Sequence, residues 1–367
     1  EKISIRLNTY YLYLQPILWK YANLSLTNIV QQKPTNDEDA TTDSLNTFYC
    51  SPETLIAIDP DFLIDASSVA ACQLRRAVNP FFYLLQKFMD GSSTNIHFVK
   101  GNIVNNYLDR YFMEQPATAS ELFDDIIQKT PFAALILTPA DRSSLLKQVE
   151  AHFLTLHNDF LRAYKKHLLS LEPTFLSDIF GLRGRLDLLV AYRNPINRRD
   201  VVELKTSKDP KNFGKDIDEK DALQATCYNL LLDSAYPDRI GSSAILYSSA
   251  APIDNPLRNA PNDIISKRNA LKIRNYMVYI EYQLTQDPAA MLSFIAPSNF
   301  EKDGLWDNQL NEIKQFHHVL NRASDLEKNY FYEFVRFIAK EQRTAKVGSN
   351  NERSEGGLAA LWNSNLA

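Results

Sequence analysis

Two carboxylates and a lysine stand at a spacing suited to chemistry on a phosphate ester. They lie in Gly184-Arg185-Leu186-Asp187 and in Val202-Glu203-Leu204-Lys205. Gly184 to Tyr192 reads as one strand and Val201 to Thr206 as a second. Asn194-Pro195-Ile196-Asn197-Arg198-Arg199 between them is a polar turn whose proline cannot donate to a ladder. A hairpin centred near residue 196 sets Asp187 roughly opposite Lys205. Glu203 and Lys205 are two apart, so they share one strand face while Val202, Leu204 and Thr206 take the other. Such a set is costly on a half-buried sheet unless its members pair with each other or with a metal. Close carboxylates repel unless a divalent cation lies between them, and Mg²⁺ prefers oxygen donors. The chemistry that follows is metal-assisted attack of water on a phosphodiester, with Lys205 orienting the water or neutralising developing charge. Asp216 to Asp233 reads as a helix with Leu223, Tyr228 and Leu231 on its apolar stripe. Gln224 and Tyr228 are four apart, share a helical face, and can reach a phosphate or the lysine.

The surrounding pattern is that of an α/β protein: a mixed central sheet flanked by helices, with a largely helical lobe over 67–171. Helical periodicity runs from Ser67 to Phe88, Phe98 to Met113 and Asp141 to Leu171. Ile240 to Tyr247 alternates as a strand, Asn262 to Gln283 is helical, and Trp306 to Lys340 makes one or two amphipathic helices. Ile3 to Leu14 and Ile17 to Val30 favour strand, broken at Pro16, and polar Gln31 to Asn46 reads as a mobile loop. Gly348 to Gly357 has linker composition and precedes an apolar stub, Leu358 to Trp362. The chain therefore divides into a β-rich opening (1–60), a main domain (61–345) and a linker (346–367) expected to lead into another domain.

Composition narrows the class. With 45% hydrophobic residues in 367, the chain can fill a sizeable core. No apolar run nears the roughly 18 residues that span a bilayer, and no secretory leader is evident, so no membrane partner is expected. Three scattered cysteines, Cys50, Cys72 and Cys227, give no disulfide framework and fit a reducing cytoplasm. A net charge of −4 argues against a surface that coats nucleic acid, yet it allows a narrow basic channel. Candidates for that channel are Arg75, Arg76, Arg183, Arg185, Lys208, Arg268 and Arg274, with Lys211, Lys215 and Lys272 beside them. No phosphate-cradling Gly-x-x-x-x-Gly-Lys loop is present, so no ATP site is expected.

In order and spacing, Gly-Arg-Leu-Asp, Val-Glu-Leu-Lys-Thr-Ser-Lys and Gln-Ala-Thr-Cys-Tyr resemble motifs II and III and the Gln-xxx-Tyr motif of RecB-like nucleases. Those nucleases belong to the PD-(D/E)xK superfamily. Ile58 to Asp65, Val69 to Cys72 with Arg75-Arg76, Glu172 to Asp187, Ala244 to Ser249 and Lys267 to Asn275 are similar to one branch of it. That branch joins the nuclease to a superfamily 1 helicase, and the likeness covers about residues 55–345. It implies a restriction-endonuclease-like fold and a Mg²⁺- or Mn²⁺-dependent DNase acting on single-stranded or flapped DNA in repair, replication or recombination. A helicase domain would sit in the same parent chain. It also implies metal ligation by Asp187, Glu203 and the Leu204 carbonyl, water handling by Lys205, and organisation by Gln224 and Tyr228. Relatives carry a histidine ligand in Gly-xxx-His; here Gly101 to Asn105 places Asn105 at that position, a neutral amide donor. His97, His152 and His157 are the histidines that the fold would have to bring back in its stead. Several relatives hold an iron–sulfur cluster on four cysteines. Cys72 fits the first position, but no cysteine follows Cys227, so no cluster is expected. Asn105 also leaves room for a different class of function: a catalytically degenerate module that grips DNA and guides a strand to a helicase.

Overall fold

The computed structural model describes residues 3–31, 47–89, 96–115, 117–129, 137–161, 164 and 167–348. The loop expected from Gln31 to Asn46 lies, after Gln31, outside the described residues, as do the linker and stub expected beyond Gly348. In chain order the strands are β1 (Ser4–Arg6), β2 (Leu24–Gln31), β3 (Thr47–Ile58), β4 (Ile64–Asp65), β5 (Leu168–Leu171), β6 (Thr174–Ser177), β7 (Leu182–Arg185), β8 (Leu188–Ala191), β9 (Arg199–Lys205), β10 (Ser243–Tyr247) and β11 (Leu257–Asn259). The chain forms two compact units. One comprises Glu1–Phe88, Leu176–Arg183 and Asp263–Ala367, and the other Met89–Phe175 with Gly184–Asn262.

The first unit is built on long β3, which pairs antiparallel with β2 and parallel with β1. Residues Ile3 to Leu14, expected as strand, give only β1 before a 3₁₀ helix, Thr9–Leu14, capped by the Asn8 side chain. That turn buries Tyr11 and Leu14 against Ile17, Ile56 and Ile58. Helix Ile264–Gln286 is fastened to the end of β3 by polar side chains. The Asn275 amide accepts from Ile58 N and donates to Ile56 O, while fully buried Arg274 donates to the carbonyls of Ile58, Asp59, Phe62 and Gly181. Gly181 has a positive φ of 62°, and any Cβ there would land on the Arg274 guanidinium. The helix expected over Ser67–Phe88 is two pieces, Ala66–Ala71 and Phe82–Phe88, with an antiparallel bridge between Gln73 and Val78 separating them and Pro80 just ahead of the second. Trp306 to Lys340 is likewise two helices, Asp307–Arg322 and Asp325–Val347. The second opens with a Ser324–Glu327 capping box.

The second unit holds a five-stranded mixed sheet in the order β11-β10-β9-β8-β5. β9 and β10 are parallel and the other pairs antiparallel. Side chains alternate across it. Leu188, Val190, Val202, Leu204 and Leu246 pack against Val99, Ile103, Val104, Leu108, Leu145 and Val149 of helices Ile96–Phe112 and Pro139–Thr155. Ile245 and Tyr247 meet Ala225 of helix Glu219–Ala235. The helical run expected from Asp141 to Leu171 is Pro139–Thr155 with a π turn, Leu156–Leu161, and its last residues form β5 instead. Tertiary pairing with β8 wins there over helical periodicity. A mixed α/β architecture with sheets flanked by helices is the fold class read from the sequence.

Candidate active site

The strand expected from Gly184 to Tyr192 is broken at Leu186-Asp187, which separates β7 from β8. Leu186 N donates to Pro173 O and Glu172 N donates to Asp187 O, so this stretch is tied to the preceding segment rather than to β9. The Asp187 side chain takes over the ladder: its Oδ2 accepts from Leu204 N at 2.7 Å. Leu188 pairs with Val202, so continuing the register puts Asp187 beside Glu203, not opposite Lys205 as the hairpin reading expects. The difference is a register slip of two residues, which keeps every side chain on the same face and so leaves no trace in hydrophobic alternation.

From that register a closed hydrogen-bond network forms. Lys205 Nζ donates to Glu203 Oε1 at 2.9 Å and to Gln224 Oε1 at 2.8 Å. Gln224 Nε2 donates to Glu203 Oε1 at 2.8 Å and to Tyr228 Oη at 2.7 Å, and Tyr228 Oη donates to Arg185 O at 3.1 Å. Glu203, Lys205, Gln224 and Tyr228 are thus brought together as their strand and helix spacing implies, with the Asp187 carboxyl within hydrogen-bonding reach of Glu203. Glu203 is 5% exposed, and its second oxygen, Oε2, is buried with no donor.

Electrostatics follow from this packing. Burial, then the charge of Asp187, pushes the Glu203 carboxyl well above the usual carboxylate range. Burial pushes Asp187 the same way, opposed chiefly by the Leu204 N–H. Burial pulls Lys205 down, but Glu203, Asp221 and Asp187 outweigh it and hold the ammonium protonated. Asp221 was not singled out in the sequence. Its Oδ1 lies 3.8 Å from Lys205 Nζ and its Oδ2 accepts from Tyr247 Oη at 2.9 Å. It stands three residues before Gln224, so helical spacing was the signal that could have found it. At the rim, exposed Arg185 pairs with Glu172 at 3.2 Å. Asp109 is pushed up to about 6 by burial and by the Glu172 charge.

Asn105 does not join this network. It is half-buried on helix Ile96–Phe112, whose sheet contacts run through the face opposite Glu203 and Lys205. His97 is exposed, and His157 sits edge-on to Tyr111. His152 is buried, with Nδ1 2.9 Å from Ser248 Oγ, which in turn donates to Lys205 O. It steadies the end of β9 and is held neutral, its pKa lowered to about 4 by burial. Among the described residues no group of three or more His, Cys, Asp or Glu side chains is arranged to hold a metal ion. An ion at Asp187 and Glu203 would complete its shell with neutral oxygens.

The candidate channel cations scatter. Arg185 and Lys208 are exposed in the second unit. In the first unit, Arg76 is exposed, and Arg75 donates to Gly304 O and Leu305 O while covering the Trp306 ring. Arg183 makes a two-pronged pair with Asp65. Two expectations fail on burial: Arg274 is 0% exposed, and Arg268 is 9% exposed with its guanidinium on Pro52 O and over Tyr10. Neither can line a solvent channel; both charges are spent on backbone carbonyls.

A sheet presenting two carboxylates and a lysine beside a Gln-xxx-Tyr helix is the arrangement of a phosphodiester-cleaving nuclease. A family model described as the PD-(D/E)XK nuclease superfamily matches residues 74–340. The chain belongs to that superfamily, and membership implies metal-dependent nuclease activity and DNA binding. No curated protein matches the chain. Among solved structures, "Crystal structure of SSO0001" aligns at 16% identity over 60% of this chain and 95% of that one, with a TM-score of 0.22. Nothing about site or activity follows from so low a likeness.

Proposed function

We propose that this chain is a RecB-like deoxyribonuclease, dependent on Mg²⁺ or Mn²⁺, that hydrolyses phosphodiesters in single-stranded or flapped DNA. It serves as the cytoplasmic nuclease module of a larger nuclease–helicase in DNA repair, replication or recombination. The observation that carries this reading is the Glu203 carboxyl: buried, pressed against Asp187, and with one oxygen lacking a donor. A buried acceptor without a partner is rare, and a hard cation is the partner two neighbouring carboxylates fit. Asp187, Glu203 and the Leu204 carbonyl would hold it. A residue in an extended strand sends its N–H and C=O to the same edge, so Leu204 C=O leaves β9 on the side where its N–H meets Asp187. When bound, the ion supplies an activated water and neutralises phosphate charge.

The chain's own groups set the rest. Lys205, fixed by Glu203 and Gln224, presents an ammonium to the attacking water or the phosphate oxygens. Tyr228 fixes the Gln224 amide so that its oxygen faces Lys205. Arg185 and Lys208, both exposed in this unit, would offer cations to a DNA backbone. The test is a Mn²⁺ and Mg²⁺ cleavage assay on single-stranded, duplex and flap DNA, comparing the parent chain with Asp187→Ala and Lys205→Ala. Loss of cleavage in both variants is expected; equal activity in all three marks a contaminant and ends the reading. Asn105, a neutral amide where relatives carry a histidine ligand, favours a second reading, a degenerate module that binds a strand without cutting it. That reading requires single-strand binding with no cleavage and no Mn²⁺ uptake on titration.

A further inference from the structure

In the unit of Glu1–Phe88, Leu176–Arg183 and Asp263–Ala367, a cavity of about 590 Å³ lies outside everything described above. That volume falls within the range of small-ligand sites. It is lined by Trp19, Lys20 and Tyr21, by Asp59, and by residues of helices Ile264–Gln286 and Asp325–Val347, among them Tyr282, Lys340 and Arg343.

Two chemistries meet there. The first is aromatic. Trp19 and Tyr282 are stacked face to face, centroids 4.1 Å apart at 5°, so a further ring can stack only on an outer face of the pair. Tyr21 is 81% exposed and held at a positive φ of 68°, a backbone state that disfavours any residue with a side chain. The second is cationic. Lys20 and Lys340 are exposed, and Lys20 Nζ lies 4.8 Å from the Tyr21 ring centre. Arg343 sits 5.8 and 5.9 Å from the Trp19 and Tyr282 ring centres. Of its guanidinium nitrogens, Nη2 pairs with Asp59, while Nη1 is buried with no acceptor. Three cations against the single Asp59 carboxylate leave the lining positive in a chain whose net charge is −4. A buried guanidinium N–H lacking an acceptor, beside two ammonium groups and stacked rings, matches a ligand with an anionic oxygen and a flat ring.

We propose that this cavity binds one nucleotide of single-stranded DNA, its base against Tyr21 and an outer face of the Trp19–Tyr282 stack and its phosphate on Lys20, Lys340 and Arg343. A duplex keeps its bases stacked inside, whereas a single strand offers a free π-face that aromatic residues grip without regard to sequence. The choice of a DNA strand rests on the nuclease reading; the ring-plus-phosphate chemistry itself would also accept a free nucleotide.

The experiment uses the full chain carrying Asp187→Asn to prevent cleavage, in EDTA, with fluorescence anisotropy of labelled oligo-dT. Tyr21→Ala and Lys340→Gln change exposed side chains and are each expected to weaken binding about tenfold, or about 1.4 kcal/mol. Lys340→Gln should also flatten the log Kd against log salt slope by about 0.7. Competition by dTMP assigns the site to nucleotides from either source, and failure of dTMP with the variant effects intact confines it to a strand; both support the proposal. Unchanged binding and salt slope in both variants overturn it. So does an equal loss on duplex DNA from Tyr21→Ala. Cleavage by the parent chain is measured separately. Absent cleavage with variant-sensitive binding removes the nuclease reading alone, and normal cleavage with variant-insensitive binding removes this site alone.

Discussion

Asp187→Asn separates what the carboxylate pair costs from what it does. An amide keeps an oxygen for the Leu204 N–H that now reaches Asp187 Oδ2 at 2.7 Å, and it adds an N–H₂ group able to serve Glu203 Oε2, which has no donor. It also removes one of two adjacent buried charges. Two unit charges about 4 Å apart repel by about 4 kcal/mol at an effective dielectric near 20. Proton uptake and the Lys205 ammonium already relieve part of this in the metal-free protein, leaving about 1–3 kcal/mol to be recovered. At about 2–4 °C per kcal/mol for a domain of this size, metal-free Asp187→Asn should melt roughly 2–12 °C above the parent while cleaving nothing.

The sign with pH follows from the same groups. Both carboxyls have folded pKa values raised above their unfolded values. Their contribution is full below the unfolded carboxylate pKa and is lost as pH rises through the folded one. The metal-free parent should therefore lose stability from about pH 4.5 toward neutrality, and the variant should lose less. Mn²⁺ at a hundredfold excess over Kd should return about 2.7 kcal/mol to the parent and far less to the variant. Melts in EDTA and in Mn²⁺, at pH 6 and pH 8, read all of this. A variant melting below the parent in EDTA, or equal Mn²⁺ gains in both, would refute the reasoning.

Tyr228→Phe removes a donor to Arg185 O and the acceptor of Gln224 Nε2, about 1 kcal/mol of fixing. Cleavage of single-stranded DNA should fall about fivefold with Mn²⁺ affinity unchanged by calorimetry. His152 is held neutral with a pKa of about 4, below its ordinary 6.5. Its stability contribution is present above pH 6.5 and drains as pH falls toward 4, by about 2 kcal/mol after allowance for solvent screening. The difference in urea unfolding free energy between the parent and His152→Gln, in which the carboxyl contributions cancel, should shrink by that amount from pH 7 to pH 5. Arg274→Met strands the carbonyls of Ile58, Asp59, Phe62 and Gly181, so urea unfolding should report a loss of about 3–5 kcal/mol. DNA affinity of the folded fraction should not change.

Short-range spacing was the legible part of the site. Glu203 and Lys205 share a strand face and Gln224 and Tyr228 a helix face because those periods are local, and the structure brings all four together. What needed the third dimension was misread. Asp187 accepts from Leu204 N of β9 and lies beside Glu203, a two-residue slip that no alternation of Leu186, Leu188 and Val190 records. Arg268 and Arg274 look like surface cations because charge reads as exposure in a sequence, but the open ends of β3 and its neighbours needed donors and took them. β5 reads as helix because its four residues continue an apolar run, and only the β8 edge makes them strand.

The charge count of the buried nest gives the closing step. Among the described residues, the cation that Asp187, Glu203 and Asp221 share is Lys205, whose ammonium is hydrogen-bonded to Glu203 and Gln224 and 3.8 Å from Asp221. Three carboxylates against one ammonium leave two negative charges without compensation. At the rim, Glu172 is already matched by Arg185 and contributes nothing to close the gap. A low-dielectric site two positive charges short can take up protons or bind one divalent ion. In the empty site protons fill part of that gap, because the Glu203 carboxyl is held well above the usual carboxylate range. A divalent ion fills it by displacing them, leaving Lys205 charged beside an anionic phosphodiester, so the same imbalance that destabilises the empty site favours its cation.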